Sequence, residues 1–243
     1  MNKKYTYVWV SLIVLIFGII VIPKIVDRMS SGTVVQNDRL NGAVPESDDE
    51  LGYILLNGQK RKVPSFSFIN QDSVVVTDKD YLGKVYVVDF FFTRCPSICP
   101  VMTTNLVSLQ NTFKDSKNFG IASFSITPEF DTPSVLRQYA QKYEIDTSVW
   151  NLLTGDKDGI YELANAGFNI FAAEMPEVPG GFEHSGLFAL VDKEGYLRSR
   201  MDKFGNPIVY YRGAILEQDK TNDHGETEEI SILRTDIKKL LQE

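Results

Sequence analysis

The sequence predicts one α/β domain on a sheet that mixes parallel and antiparallel strands, and three observations predict it. Once an N-terminal apolar stretch and a tether are set aside, a little under two hundred of the 243 residues remain. That is enough for one full core and short of two. Hydrophobic residues make up 43% of the chain and charged residues 23%, which excludes a fibrous or wholly disordered protein. From about residue 63 onward, strand-like apolar runs alternate with helical stripes.

A short strand is expected at 52–56. Val63–Phe68 and Ser73–Thr77 read as a hairpin across Asn70-Gln71-Asp72. Val85–Thr93 (VYVVDFFFT) is a nearly continuous run of β-branched and aromatic residues. Such a run suits a central strand buried on both faces, with Phe90, Phe91 and Phe92 as packing residues. A helix follows, burying Val101, Leu106, Leu109 and Phe113, with Met102 in the core. Ile121–Ile126 is the next strand. Asp131-Thr132-Pro133 reads as a helix N-cap with proline at the first helical position, opening a helix to about Tyr143. Trp150–Leu153 is a strand and 157–166 a helix. Leu187–Val191 and Tyr196–Ser199 form a hairpin across Asp192–Gly195, and Ile230–Leu241 closes the chain as an amphipathic helix. A βαβ start with a ββα end fits a mixed sheet; thioredoxin-like folds have that order.

Residues 5–23 (YTYVWVSLIVLIFGIIVIP) carry no charge. As a helix they span roughly 28 Å, close to the hydrocarbon core of a bilayer, and Tyr5, Tyr7 and Trp9 sit at one end, where aromatic rings favour the interface. The stretch exceeds the apolar region of a cleaved signal, and no small-residue cleavage site follows. It is therefore expected to be a retained transmembrane anchor. Lys3 and Lys4 before it nearly balance Lys24 and Arg28 after it, and the amino terminus tips residues 1–4 towards the cytoplasm. Residues 24–54, with Ser30, Ser31, Gly32, Gly42, Pro45 and the Asp48-Asp49-Glu50 run, read as a flexible tether; the domain is expected over 55–243. The formal net charge is −7, and beyond residue 28 the balance is 21 basic to 31 acidic residues. So acidic a body argues against binding nucleic acid.

The chain has two cysteines, Cys95 and Cys99, in TRCPSICP just past the strand at 85–93. Chemistry in α/β folds gathers at the carboxyl ends of strands. Each cysteine precedes a proline, and residues before proline avoid the helical region. Residues 95–99 are thus expected as a loop, with the helix starting at Pro100. Thiolates before a helix N-terminus feel its positive dipole end, which lowers their pKa and favours metal binding and redox exchange alike. Three intervening residues suit two thiolates reaching one metal better than a disulfide, although a flexible loop could close one. A disulfide over so short a loop would be a weak staple.

Two histidines complete the inventory. His184, in GGFEHSGLFALVD, stands at a strand entrance from which a side chain can reach a site at the sheet end. Two thiolates and one imidazole form a soft, low-coordinate set that suits copper, above all Cu(I); zinc prefers four ligands. His224, in TNDHGE, reads as a solvated loop residue.

Together these motifs resemble the Sco (SenC-type) family. The resemblance rests on VYVVDFFFTRCPSICP, where Thr93, Cys95, Pro96, Cys99 and Pro100 match a T-x-C-P-x-x-C-P arrangement, on ITPEFDTPSVLRQYA, and on HSGLFALVDKEG. It covers roughly residues 60–243 and the single anchor. The family often carries an acidic residue where Ser97 stands, and the stretch 200–229 looks longer than usual and is left unassigned. The resemblance implies a thioredoxin-like domain facing an extracytoplasmic space such as the periplasm, tethered by one pass through the inner membrane. It implies copper at Cys95, Cys99 and His184, and a metallochaperone role in maturing the copper centre of cytochrome c oxidase. The partners would be the subunit carrying that centre and another copper chaperone or a thiol reductant. The alternative is a thiol-disulfide oxidoreductase, in which one cysteine attacks a target disulfide and the other resolves the mixed disulfide. A peroxidase is a third, weaker option.

Overall fold

A computed structural model describes Leu15, Phe17 and residues 41–42, 51–174, 182–201 and 207–243, with the backbone alone at 41–42 and 182–184. The expected anchor at 5–23 lies outside the described residues except for Leu15 and Phe17, which are helical and exposed. Among the described residues no helix is long and apolar enough to cross a membrane. The chain divides into two units, Met1–Arg39 and Leu40–Glu243, and everything below concerns the second.

Its strands are β1 (Asn41–Gly42), β2 (Gly52–Leu56), β3 (Gln59–Lys60), β4 (Ser67–Asn70), β5 (Val75–Thr77), β6 (Val85–Phe91), β7 (Phe119–Ser125), β8 (Trp150–Thr154), β9 (Ala172–Glu174), β10 (Phe182–His184), β11 (Leu187–Val191), β12 (Arg198–Met201), β13 (Pro207–Ile208) and β14 (Tyr211–Arg212). The helices are α1 (Ile98–Phe113), α2 (Pro133–Lys142), α3 (Lys157–Glu162), which runs into a π-helical turn at Leu163–Phe168, and α4 (Ile230–Gln242). The main sheet runs β14-β11-β6-β7-β8-β4-β5. β6, β7 and β8 are parallel, while β11 and β4 join antiparallel. The expected mixed sheet and the central place of the 85–91 run are both borne out.

β6 is buried along its whole length because both faces are covered. Phe90 packs on Phe124 and Phe168, whereas Phe91 meets Tyr139 of α2. The period-2 alternation of a strand sends neighbouring rings to opposite sides. α1 turns Met102, Leu106, Leu109 and Phe113 inward. The core stripe thus runs through Met102, while Val101 is only half-buried.

One expectation is corrected here. The hairpin of Leu187–Val191 with Tyr196–Ser199 is reduced to a single bridge, Val191 with Leu197. The turn itself forms, with Gly195 at φ +83° and its N–H donated to the Asp192 carbonyl. Beyond it the chain leaves the main sheet and β12 pairs with β2 and β13 in a second one. The anchor of that departure is Arg198, nearly buried, whose guanidinium donates to the carboxylates of Asp192 and Glu243 and to the Leu51 carbonyl. The stretch 200–229, which carries no sequence expectation, in part buttresses α1. The Asn105 amide donates to the carbonyls of Gly213 and Ile215 at 2.9 and 2.8 Å, and the Gly213 N–H donates to the Gly186 carbonyl at 2.8 Å. Gly213 has to be glycine, since a methyl there would lie 2.5 Å from the Phe188 ring.

Candidate metal centre

The cysteine loop leaves β6 at its carboxyl end. The Cys95 N–H donates to the Phe92 carbonyl at 3.2 Å, closing a turn. α1 then begins at Ile98, two residues before Pro100, so Cys99 lies inside the first helical turn and not in a loop as expected. Pro100 is accommodated because the first N–H groups of a helix have no intrahelical partner to lose. Ser97 occupies the N-cap position without capping through its side chain. The Cys95 sulfur stands in for it: the Cys99 N–H points at Sγ of Cys95 over 3.5 Å, and the Ser97 hydroxyl lies 3.7 Å from the same sulfur. The two cysteines are therefore brought together at a helix N-terminus, as thiols and not as a disulfide.

Cys95 is 8% exposed and Cys99 1%. Burial pushes the Cys99 thiol well above its ordinary pKa, and the hydrogen bond with Cys95 and that residue's charge add to the rise. The expectation of a lowered pKa fails for Cys99, because desolvation of a thiolate outweighs the half-charge of a helix end. Burial thus disfavours the bare Cys99 thiolate.

The loop is locked by a carboxylate. Asp131 is fully buried and accepts from the Thr93 N–H at 3.0 Å, from the Thr93 hydroxyl, from Ser125 Oγ at 2.6 Å and from Thr127 Oγ1 at 3.0 Å. It is thus not the N-cap of α2. Thr132 is, with Pro133 at the first position, while Asp131 ties the β7–α2 loop to the residue two before Cys95. Sequence reasoning missed this role, because a capping signature accounted for the same residue. Asp131→Asn puts amide protons where two hydroxyl donors point. It should cost about 2 kcal/mol, read as a lower urea midpoint, and the Thr93 amide should exchange faster with deuterium. Unchanged exchange at Thr93 would count against the lock.

The described groups also include a buried carboxyl that sequence reasoning left aside. Asp89, in β6, accepts from Ser123 Oγ, and that same oxygen accepts the Trp150 indole N–H at 2.8 Å. Burial raises its pKa to about 7. The signal was present as a lone acid in the apolar run VYVVDFFFT.

His184 ends β10, opposite Ala172 of β9. Its side chain lies outside the described atoms, but its backbone neighbourhood is set. β11 runs antiparallel to β6, so its start lies at the end of β6 from which the cysteine loop emerges. A methyl on Gly186 would sit 3.2 Å from Cδ1 of Ile98, which puts the chain two residues after His184 against the first residue of α1. Gly186 takes φ +66° there, a conformation glycine adopts without strain. Among the described residues no three His, Cys, Asp or Glu side chains converge as a metal cluster. His224 is exposed, its N–H donated to the Asn222 side chain, and Met102 is core, both as expected.

The order of motifs, the buried thiol pair and the chain at 184–186 can be set beside known proteins. A family model described as SCO1/SenC matches residues 56–213. The chain belongs to the SCO1/SenC family. Among solved structures, a SCO1/SenC family lipoprotein from Bacillus anthracis is similar at 32% identity with TM-score 0.60, over 74% of this chain and 95% of that one. BsSco, described as a member of the Sco family of cytochrome c oxidase assembly proteins and as holding a disulfide switch, is similar at 29% identity with TM-score 0.59, over 74% and 94%. Copper-bound ScoI of Arabidopsis thaliana is similar at 22% identity with TM-score 0.53, over 74% and 99%, a likeness of fold alone. The thioredoxin-like fold expected from the order of elements is that of these SCO1/SenC structures.

Proposed function

We propose that this SCO1/SenC protein is a copper metallochaperone that binds one copper ion through Cys95, Cys99 and His184 and passes it to the copper-centre subunit of cytochrome c oxidase. The observation that carries the reading is the pair of buried thiols held side by side at the N-terminus of α1. Thiolate sulfurs are soft ligands that favour Cu(I), and a histidine adds borderline nitrogen. A cation taking the place of the protons offsets the desolvation that holds the Cys99 thiol up, so the site favours the metal over the bare thiolate. Copper leaves by ligand exchange with a partner's thiols, and its delivery needs no change of oxidation state. The chain is anchored by residues 5–23 and places the folded unit Leu40–Glu243 outside the cytoplasm. Another copper chaperone supplies the copper, or a thiol reductant keeps Cys95 and Cys99 reduced to receive it.

A second reading has its own support. The Cys99 N–H to Cys95 Sγ approach keeps the two sulfur-bearing residues close enough for one to resolve a mixed disulfide formed by the other. BsSco, described as holding a disulfide switch, belongs to the same family.

The test is Cu(I) uptake by the purified, reduced full-length chain beside its Cys95→Ser/Cys99→Ser double variant. One copper per chain is expected, and His184→Ala should retain it at least about tenfold more weakly while leaving the rate of disulfide exchange nearly unchanged. Uptake no greater than that of the double variant would sink the chaperone reading and leave the oxidoreductase in its place.

A further inference from the structure

Around the cysteines the surface is unlike the rest of the domain. Beyond residue 28 the chain is acidic, with 21 basic and 31 acidic residues. Arg94, immediately before Cys95, is exposed and forms no ion pair or hydrogen bond among the described residues. Its guanidinium carbon lies over the Phe130 ring, 3.6 Å from the centroid. Phe130 is 47% exposed and Phe171 50%, the two exposed aromatic residues among those described from residue 51 onward. Both flank the site. Phe130 precedes Asp131, the carboxylate that holds Thr93. Phe171 precedes Ala172, which faces His184 across the β9–β10 pair, and its carbonyl accepts the Ser185 N–H at 3.2 Å. Lys157 ties the two segments together through ion pairs to Glu129 and Glu174 and so offsets one of their two negative charges.

An aromatic ring left in water is unfavourable, and an arginine stacked on one keeps its N–H edges available to a planar acceptor. Exposed aromatics with an arginine at the lip of a reactive group are the residue types that anchor protein interfaces. We infer that Arg94, Phe130 and Phe171 form a docking rim for the cysteine-bearing loop of a partner protein, one that carries a carboxylate beside its cysteine. The rings cover the apolar part of that loop, and Arg94 receives the carboxylate, setting the partner's sulfur against Cys95. This inference rests on the reading that Cys95 and Cys99 exchange copper or disulfides with a partner.

The probes are short synthetic peptides with two cysteines spaced as Cys95 and Cys99 are, and with either glutamate or lysine beside the first. Copper transfer from the loaded full-length chain to each reduced peptide is timed. In a parallel arm the reduced, copper-free chain meets each oxidised peptide; there the chain's two thiols become a disulfide as the peptide's disulfide becomes two thiols. At low salt the glutamate peptide should react about fivefold faster than the lysine peptide, as one exposed ion pair allows, and the margin should shrink as salt rises. Arg94→Glu should reverse the preference, and Phe130→Ala/Phe171→Ala should slow both peptides together. Circular dichroism on the same samples reports folding, and copper stoichiometry reports the ligand set. Equal rates for the two peptides with copper uptake intact would overturn the rim alone. Failure of both copper uptake and disulfide exchange with every peptide would overturn the proposed function and the rim with it. Arg94-dependent binding to phosphatidylglycerol vesicles, without discrimination between peptides, would overturn the protein partner in favour of a membrane surface.

Discussion

Replacing either cysteine by serine should abolish copper retention while leaving the fold in place. A site of two thiolates and one imidazole has no reserve, since losing one sulfur leaves a single soft ligand and a nitrogen for a metal that prefers sulfur. Serine puts a hard oxygen at that position, and the hydroxyl keeps its proton at neutral pH. Removal of a residue that merely orients a ligand costs 10–100-fold in affinity, so loss of a ligand should exceed about a hundredfold. The two positions differ in the structural cost. Cys99 is 1% exposed and Cys95 8%, so Cys99→Ser buries a hydroxyl more completely and should lose about 1–2 kcal/mol of stability. Cys99→Ala separates the effects, because it lacks the ligand without adding a buried polar group. All three variants should give native circular dichroism and no copper after desalting against a competing chelator. A single-cysteine variant that kept stoichiometric copper through that step would refute the ligand assignment.

Much of the architecture could be read from local signals, and the misses share a cause. The apolar run at 85–93 and the two prolines flanking the cysteines fixed the central strand and the place of the thiols. Both signals act within a few residues, and tertiary context did not override them. The helix start was misplaced by two residues, because the rule that Pro100 should lie at the first position overlooked that the whole first turn tolerates a residue with no N–H. The hairpin after β11 was misassigned because the turn at Asp192–Gly195 is local while the departure of β12 is not. That departure depends on Arg198 reaching Leu51 and Glu243 at the far ends of the domain. Asp131 reads as a cap in one dimension and becomes a lock in three, since its donors come from Thr93, 38 residues earlier, and from Ser125 and Thr127. The Cys99 thiol departs from its expected direction for the same reason: the helix end is visible in the sequence, and the burial that outweighs it is not.

Asp89→Asn should flatten the dependence of stability on pH. The Asp89 carboxyl is 2% exposed, and burial raises its folded pKa to about 7, against about 3.9 in an unfolded chain. Below about pH 4 the group is neutral in both states and contributes no slope. Between about pH 4 and 7 the unfolded chain releases the proton and the folded one keeps it, so stability falls as pH rises through that window. Above about pH 7 both states are ionised and the loss is complete. A separation of about three units corresponds to about 4 kcal/mol at most, a large part of a domain's stability. Asparagine keeps an acceptor for Ser123 Oγ and nearly the same volume, but it cannot ionise. Its extra N–H costs about 1–3 kcal/mol if unsatisfied, and that cost is the same at every pH. The informative quantity is therefore the difference between variant and parent across pH. Urea midpoints of the reduced full-length chain at pH 4.5, 6 and 8 should show the variant gaining on the parent step by step, with most of the gain reached by pH 8. Parallel curves would mean that Asp89 is ionised in the folded protein throughout, and that its bond to Ser123 and the Trp150 indole behind it stabilises a buried charge and not a buried acid.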